Sequence, residues 1–264
     1  ASDVYKRQAA SDVYKRQGFG LGIAGAAMAT VISQVVVFIV FIFMLFFKNH
    51  SYISFNLSDF TFSTDIIWDI IKVGLPASLS MIVMAVGQGV FNKILVHISV
   101  NTVAAYQVAG RLDMLVFLPI FSIAASLTTL VGMFYGAKEY GALRYIIKYG
   151  IFSALLITII SSTIVYTFAG HVVRFFTDDA SIVIIAVNFL QIFAFAYPFI
   201  SVGITTGRVL QGLGKGLPVL IITIVRVLGV SAPLALFFVF IMDKTVEWVW
   251  YSMMLSTIVA FGIG

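Results

Sequence analysis

The sequence predicts an all-α polytopic membrane protein with about seven transmembrane helices, and three observations carry that prediction. Of the 264 residues, 61% are hydrophobic and 10% charged, with a mean hydropathy of +1.08, whereas soluble domains are roughly 45–50% apolar and about 25% charged. The apolar residues are gathered into runs long enough to span a bilayer, which takes about 20 residues of helix. These runs do not alternate: VVVFIVFIFMLFF at 35–47 is apolar on every face, unlike the alternating strands of about ten residues that build a membrane barrel.

Taken in order, the chain opens on a repeat. ASDVYKRQ fills positions 1–8 and returns unchanged at 10–17. It resembles one reading frame of a sequencing-library adapter, so residues 1–17 are set aside from the fold; a basic cytosolic tail drawn to anionic lipid is the alternative. The apolar spans then fall near 20–47, 70–96, 102–134, 146–168, 182–209, 217–242 and 246–264. Short polar turns such as YGAKEYGALRY around Lys138 and LGKG around Lys215 separate them, except for a longer polar-aromatic stretch at 48–66. The absence of an initiator Met and the final apolar STIVAFGIG lead us to expect a chain cut at both ends.

Basic residues set the expected orientation, because cytoplasmic loops are enriched in Lys and Arg. With the segment after the first span inside, Lys48, Lys72, Lys138, Arg144, Lys148, Arg208 and Lys215 are cytoplasmic, against Lys93, Arg174 and Lys244 outside. The net charge of +5 is explained by such loops and does not call for nucleic acid.

Polar groups at bilayer depth are costly and are the first candidates for function. Arg111 and Asp113 lie near the middle of the third span, two residues apart and so on different faces. Arg226 in the sixth span is the expected partner of Asp113 by depth. Gln107 with Arg111, and Gln88 with Asn92, are spaced i,i+4, while Asn188 and Gln191 are spaced i,i+3. Such stripes can line a wet cavity or serve as interhelical hydrogen-bond glue. Pro119, Pro198 and Pro233 sit inside spans, where proline bends a helix and a moving helix can use the bend. Pro76 and Pro218 lie nearer the ends of theirs.

Enzymatic signatures are missing. The chain has no Cys, its His50, His97 and His171 are isolated, and Asp178-Asp179 has no second acidic motif. GFGLG at 18–22 follows no strand and lacks the Lys-Ser/Thr of a phosphate loop. No enzyme activity and no cofactor are expected, and any driving force must be an ion gradient.

Several segments resemble the multidrug and toxic compound extrusion family: GLGIAGAAMATVISQ at 20–34, GLPASLSMIVMAVGQGVFNKIL from Gly74, VAAYQVAGRLDMLVFLPIFSIAASLTTLVGMFYGAKEYGALR from Val103, and GRVLQGLGKGLPVLIITIVRVLGVSAPLAL from Gly207. Their order and spacing carry the resemblance more than any one of them. It implies twelve helices in two six-helix lobes, with 18–47 as the last helix of the first lobe, 48–66 as the cytoplasmic linker and 67–264 as the second lobe. It also implies export of small organic molecules, cations above all, by antiport with sodium ions or protons. Expected partners are the bilayer and the organic substrate, in a multi-pass protein of the plasma membrane, the prokaryotic inner membrane, acting as a monomer when complete. The sodium-coupled branch of the family carries a Glu in the second lobe's first helix, close to where Met84 stands here, so that branch's second-lobe cation site does not carry over. Candidate residues of the substrate and ion pathway are Asp113, Arg111, Gln107, Gln88, Asn92, Asn188, Gln191, Tyr197 and Arg226, with Tyr106 and Phe117 offering aromatic faces for a cation. Two other readings share the layout: a lipid-linked saccharide flippase of the same superfamily, and a structural or receptor-like membrane protein.

Overall fold

The computed structural model describes residues 22–47 and 62–263; the repeated octamer and residues 48–61 of the expected linker lie outside the described residues. The chain divides into two compact units, Ala1–Phe62 and Ser63–Gly264. The first holds helix α1, Gly22–Phe47, of 26 residues. At about 1.5 Å per residue this is about 39 Å, enough for a hydrocarbon core of about 30 Å.

The second unit holds six helices: α2 Thr64–Ile98, α3 Val100–Gly136, α4 Tyr140–Arg174, α5 Ala180–Gly212, α6 Leu217–Ile241 and α7 Val246–Ile263. With α1 they make seven helices, among the described residues, that are long and apolar enough to cross a membrane. Helix α2 starts at Thr64 rather than near 70, inside the stretch assigned to the linker, because its start is set by a cap and not by hydropathy. Ser63 Oγ accepts the Ile66 N–H at 3.5 Å, and Asp65 lies in the first turn, where the helix dipole favours an acid. Pro76 consequently lies inside α2, making four interior prolines with Pro119, Pro198 and Pro233.

Three helices end through a residue in the left-handed region: Lys138 (φ 60°) after α3, Gly214 (φ 77°) after α5 and Asp243 (φ 47°) after α6. After α3 and α5 the turn is closed by a hydrogen bond to the helix's last residues, Glu139 N–H to Phe134 O at 3.0 Å and Lys215 N–H to Leu210 O at 2.8 Å. Both satisfy carbonyls that the helix end would otherwise leave open. Tight turns of this kind make consecutive helices antiparallel, so α3 and α5 run the same way.

Helix α5 is the centre of the unit. It packs on α3, α4 and α7, while α2 packs on α6, and α7 lies against the middle of α6. On α3 the buried residues run Thr102, Ala105, Ala109, Leu112, Val116, Ile120, Ala124, Leu127 and Val131, a single stripe at three- and four-residue steps. Alanines on it let α5 approach closely, which is how helices gain packing energy in lipid. The α3–α5 pair is tied along its length: Asn101 Nδ2 donates to Ser181 Oγ at 2.9 Å at one end, and Thr128 Oγ1 donates to Arg208 O at 3.3 Å toward the other. At that second end Gly212 is required. A Cβ there would sit 2.7 Å from the Thr128 carbonyl oxygen.

Helix α6 is irregular in a way that hydropathy does not show. Its stretches Val225–Ser231 and Phe237–Ile241 are π-helical. The first directly precedes Pro233, which has no N–H to offer and whose ring crowds the carbonyl of the preceding turn. Widening that turn accommodates it, since Ala232 N–H reaches back five residues to Val227 O.

Candidate functional site

The polar residues of the spans fall into three groups. The first joins α3 to α5. Asp113, 13 residues into α3 and so about 20 Å from its start, accepts a hydrogen bond from the Tyr197 hydroxyl. Tyr197 is fully buried, and its ring meets Phe117 edge-on at 5.3 Å and Phe193 at 6.5 Å between centroids. The acid is thus held by a hydroxyl whose own ring is packed between two others.

Arg226 was the expected partner of Asp113, and the structure corrects this: among the described residues Asp113 is held by Tyr197 and makes no ion pair with Arg226 or Arg111. Equal depth does not determine which way two side chains face, and α5, not α6, is the helix packed along α3. Arg111 lies on an exposed face of α3, one turn from Gln107, and lines neither of the two cavities described below.

The second group joins α2 to α3. The Tyr106 hydroxyl donates to Gln88 Oε1 at 3.2 Å, and Gln107 Nε2 donates to Asn92 Oδ1 at 3.4 Å. The two amide stripes therefore face each other and act as glue between the helices, worth about 0.6–2 kcal/mol per contact. Tyr106 also stacks on Trp250 at 5.7 Å with an interplanar angle of 15°, and Phe189 meets both rings edge-on. Trp250 has no exposed surface, and its indole N–H has no hydrogen-bond partner among the described residues.

A cavity of about 170 Å³ lies among α2, α3, α5, α6 and α7, lined by Met84, Gln88, Tyr106, Arg226, Ser231 and Ser256 among others. Gly87 of α2 also borders it, and Val227 of the π-helical turn occupies the space where a glycine Cβ would stand, 2.3 Å from its Cγ1.

The third group lies apart from this cavity. Asn188 and Gln191 line a groove of about 400 Å³ between α4 and α5, with Arg174 at its edge. Asn188 Nδ2 also donates to Glu247 Oε1 at the start of α7, at 3.2 Å. The α5 stripe is therefore not continuous with the α2–α3 stripes. Sequence reading missed Ser231, Trp250 and Glu247. Only Glu247 carries a signal of its own, a charge at a span boundary; Ser231 and Trp250 carry none.

This arrangement, helices long and apolar enough to cross a membrane, with polar pairs joining those of the second unit, defines a polytopic helical membrane protein. The MatE family model matches residues 76–237, more than half of the chain, and the chain belongs to that family. It is 30% identical over 199 residues to "Multidrug export protein MepA" of Staphylococcus aureus strain NCTC 8325 / PS 47, covering 75% of this chain and 44% of that protein. To "Probable multidrug resistance protein NorM" of Thermotoga maritima it is 26% identical over 215 residues, 81% of this chain and 46% of the relative. The chain thus spans less than half the length of the curated relatives it matches. Among solved structures, a MATE protein in complex with MaL6 superposes with a TM-score of 0.88 at 30% identity, covering 96% of this chain and 57% of that one.

Proposed function

We propose that this chain is the second lobe, with the last helix of the first, of a two-lobe transporter that exports small organic molecules, cations above all, by antiport with sodium ions or protons. The names of the relatives support drug export, and their greater length supports a missing first lobe. In this reading the protein resides in the plasma membrane of a prokaryotic cell.

The observation that carries the reading is the Asp113 carboxylate held by the Tyr197 hydroxyl, whose ring packs against Phe117 and Phe193. A carboxylate supplies charge to an organic cation or a coupling ion, and aromatic faces add cation–π attraction of about 2 kcal/mol where water is excluded. Coupling requires the ion to favour one conformation over another, because an ion with equal affinity for both shifts nothing. Tyr197 lies next to Pro198, an interior proline of α5, so a bend at that point moves the hydroxyl relative to Asp113. Replacing Asp113 by Asn in the full-length protein should lower export of a cationic dye at least tenfold at equal expression. Unchanged export would remove Asp113 from the pathway.

A further inference from the structure

We propose that the cavity beneath the π-helical turn of α6 binds a compact anionic group, a carboxylate on the transported molecule, held by Arg226, Ser231 and Gln88; its assignment to the transported molecule rests on the exporter reading. The argument begins with the backbone. A π-helical turn closes its hydrogen bond over five residues and takes about 4.4 residues, so side chains five apart lie within roughly 50° of one another around the axis. Arg226 and Ser231 are five apart within Val225–Ser231, and both line the cavity. In a regular α-helix a five-residue step would rotate one away from the other by more than a quarter turn. The irregular turn thus gathers a guanidinium and a hydroxyl onto one wall.

Both are unspent. Neither Arg226 nor Ser231 has a hydrogen-bond or ion-pair partner among the described residues, though Ser231 is buried. The Gln88 carbonyl oxygen is taken by Tyr106, which leaves its amide donor for the cavity. Ser256 and Thr257 also border the space, but their hydroxyls donate to Met253 O at 2.7 and 3.1 Å. The remaining donors are therefore positive or neutral N–H and O–H groups, and no carboxylate lines the cavity among the described residues. Asp113 is engaged by Tyr197 and borders neither cavity.

An unpaired guanidinium within a membrane span is costly unless something negative meets it. Its planar fork matches a carboxylate with two parallel hydrogen bonds. Backbone packing holds the wall in place: Val227, between Arg226 and the rest of the turn, is seated against Gly87, where any larger residue would push the turn away.

The test measures binding at equilibrium, without transport, on the full-length protein in detergent. Melting temperature is followed through titrations of sodium benzoate, benzamide and sodium chloride at fixed ionic strength. Benzoate should stabilise the wild type, because a ligand that binds only the folded state raises its melting temperature, and benzamide should not. Arg226→Gln should weaken benzoate binding roughly 10–100-fold, the range carried by charge-assisted hydrogen bonds, and Ser231→Ala should weaken it severalfold. Arg226→Lys keeps the charge but loses the fork, and it stands in as the second variant if the glutamine form does not fold; it too should bind benzoate severalfold less tightly. Stabilisation by chloride equal to that by benzoate, and lost with it in Arg226→Gln, would assign the site to a free inorganic anion and overturn the carboxylate. No benzoate effect in the wild type, or one that survives all three substitutions, would overturn the site itself. Because no transport is measured, either result stands independently of the Asp113→Asn export assay.

Discussion

The Tyr197 hydroxyl donates to the Asp113 carboxylate across the interface of α3 and α5, two parallel helices that are also joined near both ends by Asn101–Ser181 and Thr128–Arg208. The outer ties fix the register of the pair, and the central one holds an acid that has no ion-pair partner among the described residues. Tyr197→Phe keeps the ring contacts with Phe117 and Phe193 but removes the donor. A hydrogen bond to a charged group is worth about 1.5–3 kcal/mol, so this variant should melt at a lower temperature. If the carboxylate acts only through Tyr197, Asp113→Asn and the double variant should export equally; a larger loss in the double variant would show that each acts alone.

Gly87→Ala tests the contact between α2 and the π-helical turn. Alanine is the better helix former by about 1 kcal/mol, which by itself predicts a gain. Against this, its Cβ would stand 2.3 Å from Val227 Cγ1, and Val227 is a short, buried, β-branched side chain that cannot swing aside. Overpacking of this kind costs about 1–3 kcal/mol, so the steric term wins and Gly87→Ala should lower the melting temperature. Adding Val227→Ala should recover most of the loss. A Gly87→Ala protein as stable as the wild type would show that the two helices do not meet as described.

Much of the fold is legible in the sequence because the bilayer forces it: a span must be about 20 residues of continuous apolar helix, and each of the seven runs is one. Helix ends are less legible. The start of α2 is fixed by Ser63 and Asp65, six residues ahead of the apolar run. Pairing is legible only in part. The stripes Gln88–Asn92 and Gln107–Arg111 show their faces through i,i+4 spacing, and Asn92 and Gln107 do meet across α2 and α3, while Gln88 meets Tyr106 and Arg111 meets neither. Asp113 and Arg226 are matched by depth in the sequence, but Asp113 is held by Tyr197 of α5, and depth is all that hydropathy gives. The π-helical turn has no compositional mark beyond Pro233 downstream, so the shared wall of Arg226 and Ser231 could not be read from the chain.

Trp250 offers a test of buried polarity. Its indole N–H is buried without a partner, and an unsatisfied donor costs about 1–3 kcal/mol. Its ring nevertheless packs against Tyr106 and Phe189. Trp250→Phe removes the N–H and keeps an aromatic ring, so the relief and the lost volume should nearly cancel and stability should change by less than about 1 kcal/mol. Trp250→Ala removes the ring as well and should cost about 3–5 kcal/mol. A Phe variant as damaged as the Ala variant would mean that the indole nitrogen has a partner after all.

Asp179 gives a pH dependence whose sign can be worked out. It caps α5 from outside the span: its Oδ1 accepts from the Ser181 hydroxyl at 2.7 Å and from the Ser181 N–H at 2.9 Å. These hydrogen bonds favour the ionised form and hold its carboxyl below the ordinary value of 3.8. Since the folded value is depressed, the unfolded chain binds the proton more readily, and the stability contributed by this group is present above the unfolded value. It is lost as pH falls from about 4 through the folded value. Asp179→Ala should therefore melt at a lower temperature than the wild type at pH 7, and the difference should shrink as the pH is taken below 3. A gap that stays constant across that range would assign the effect to the shape of the cap and not to its charge.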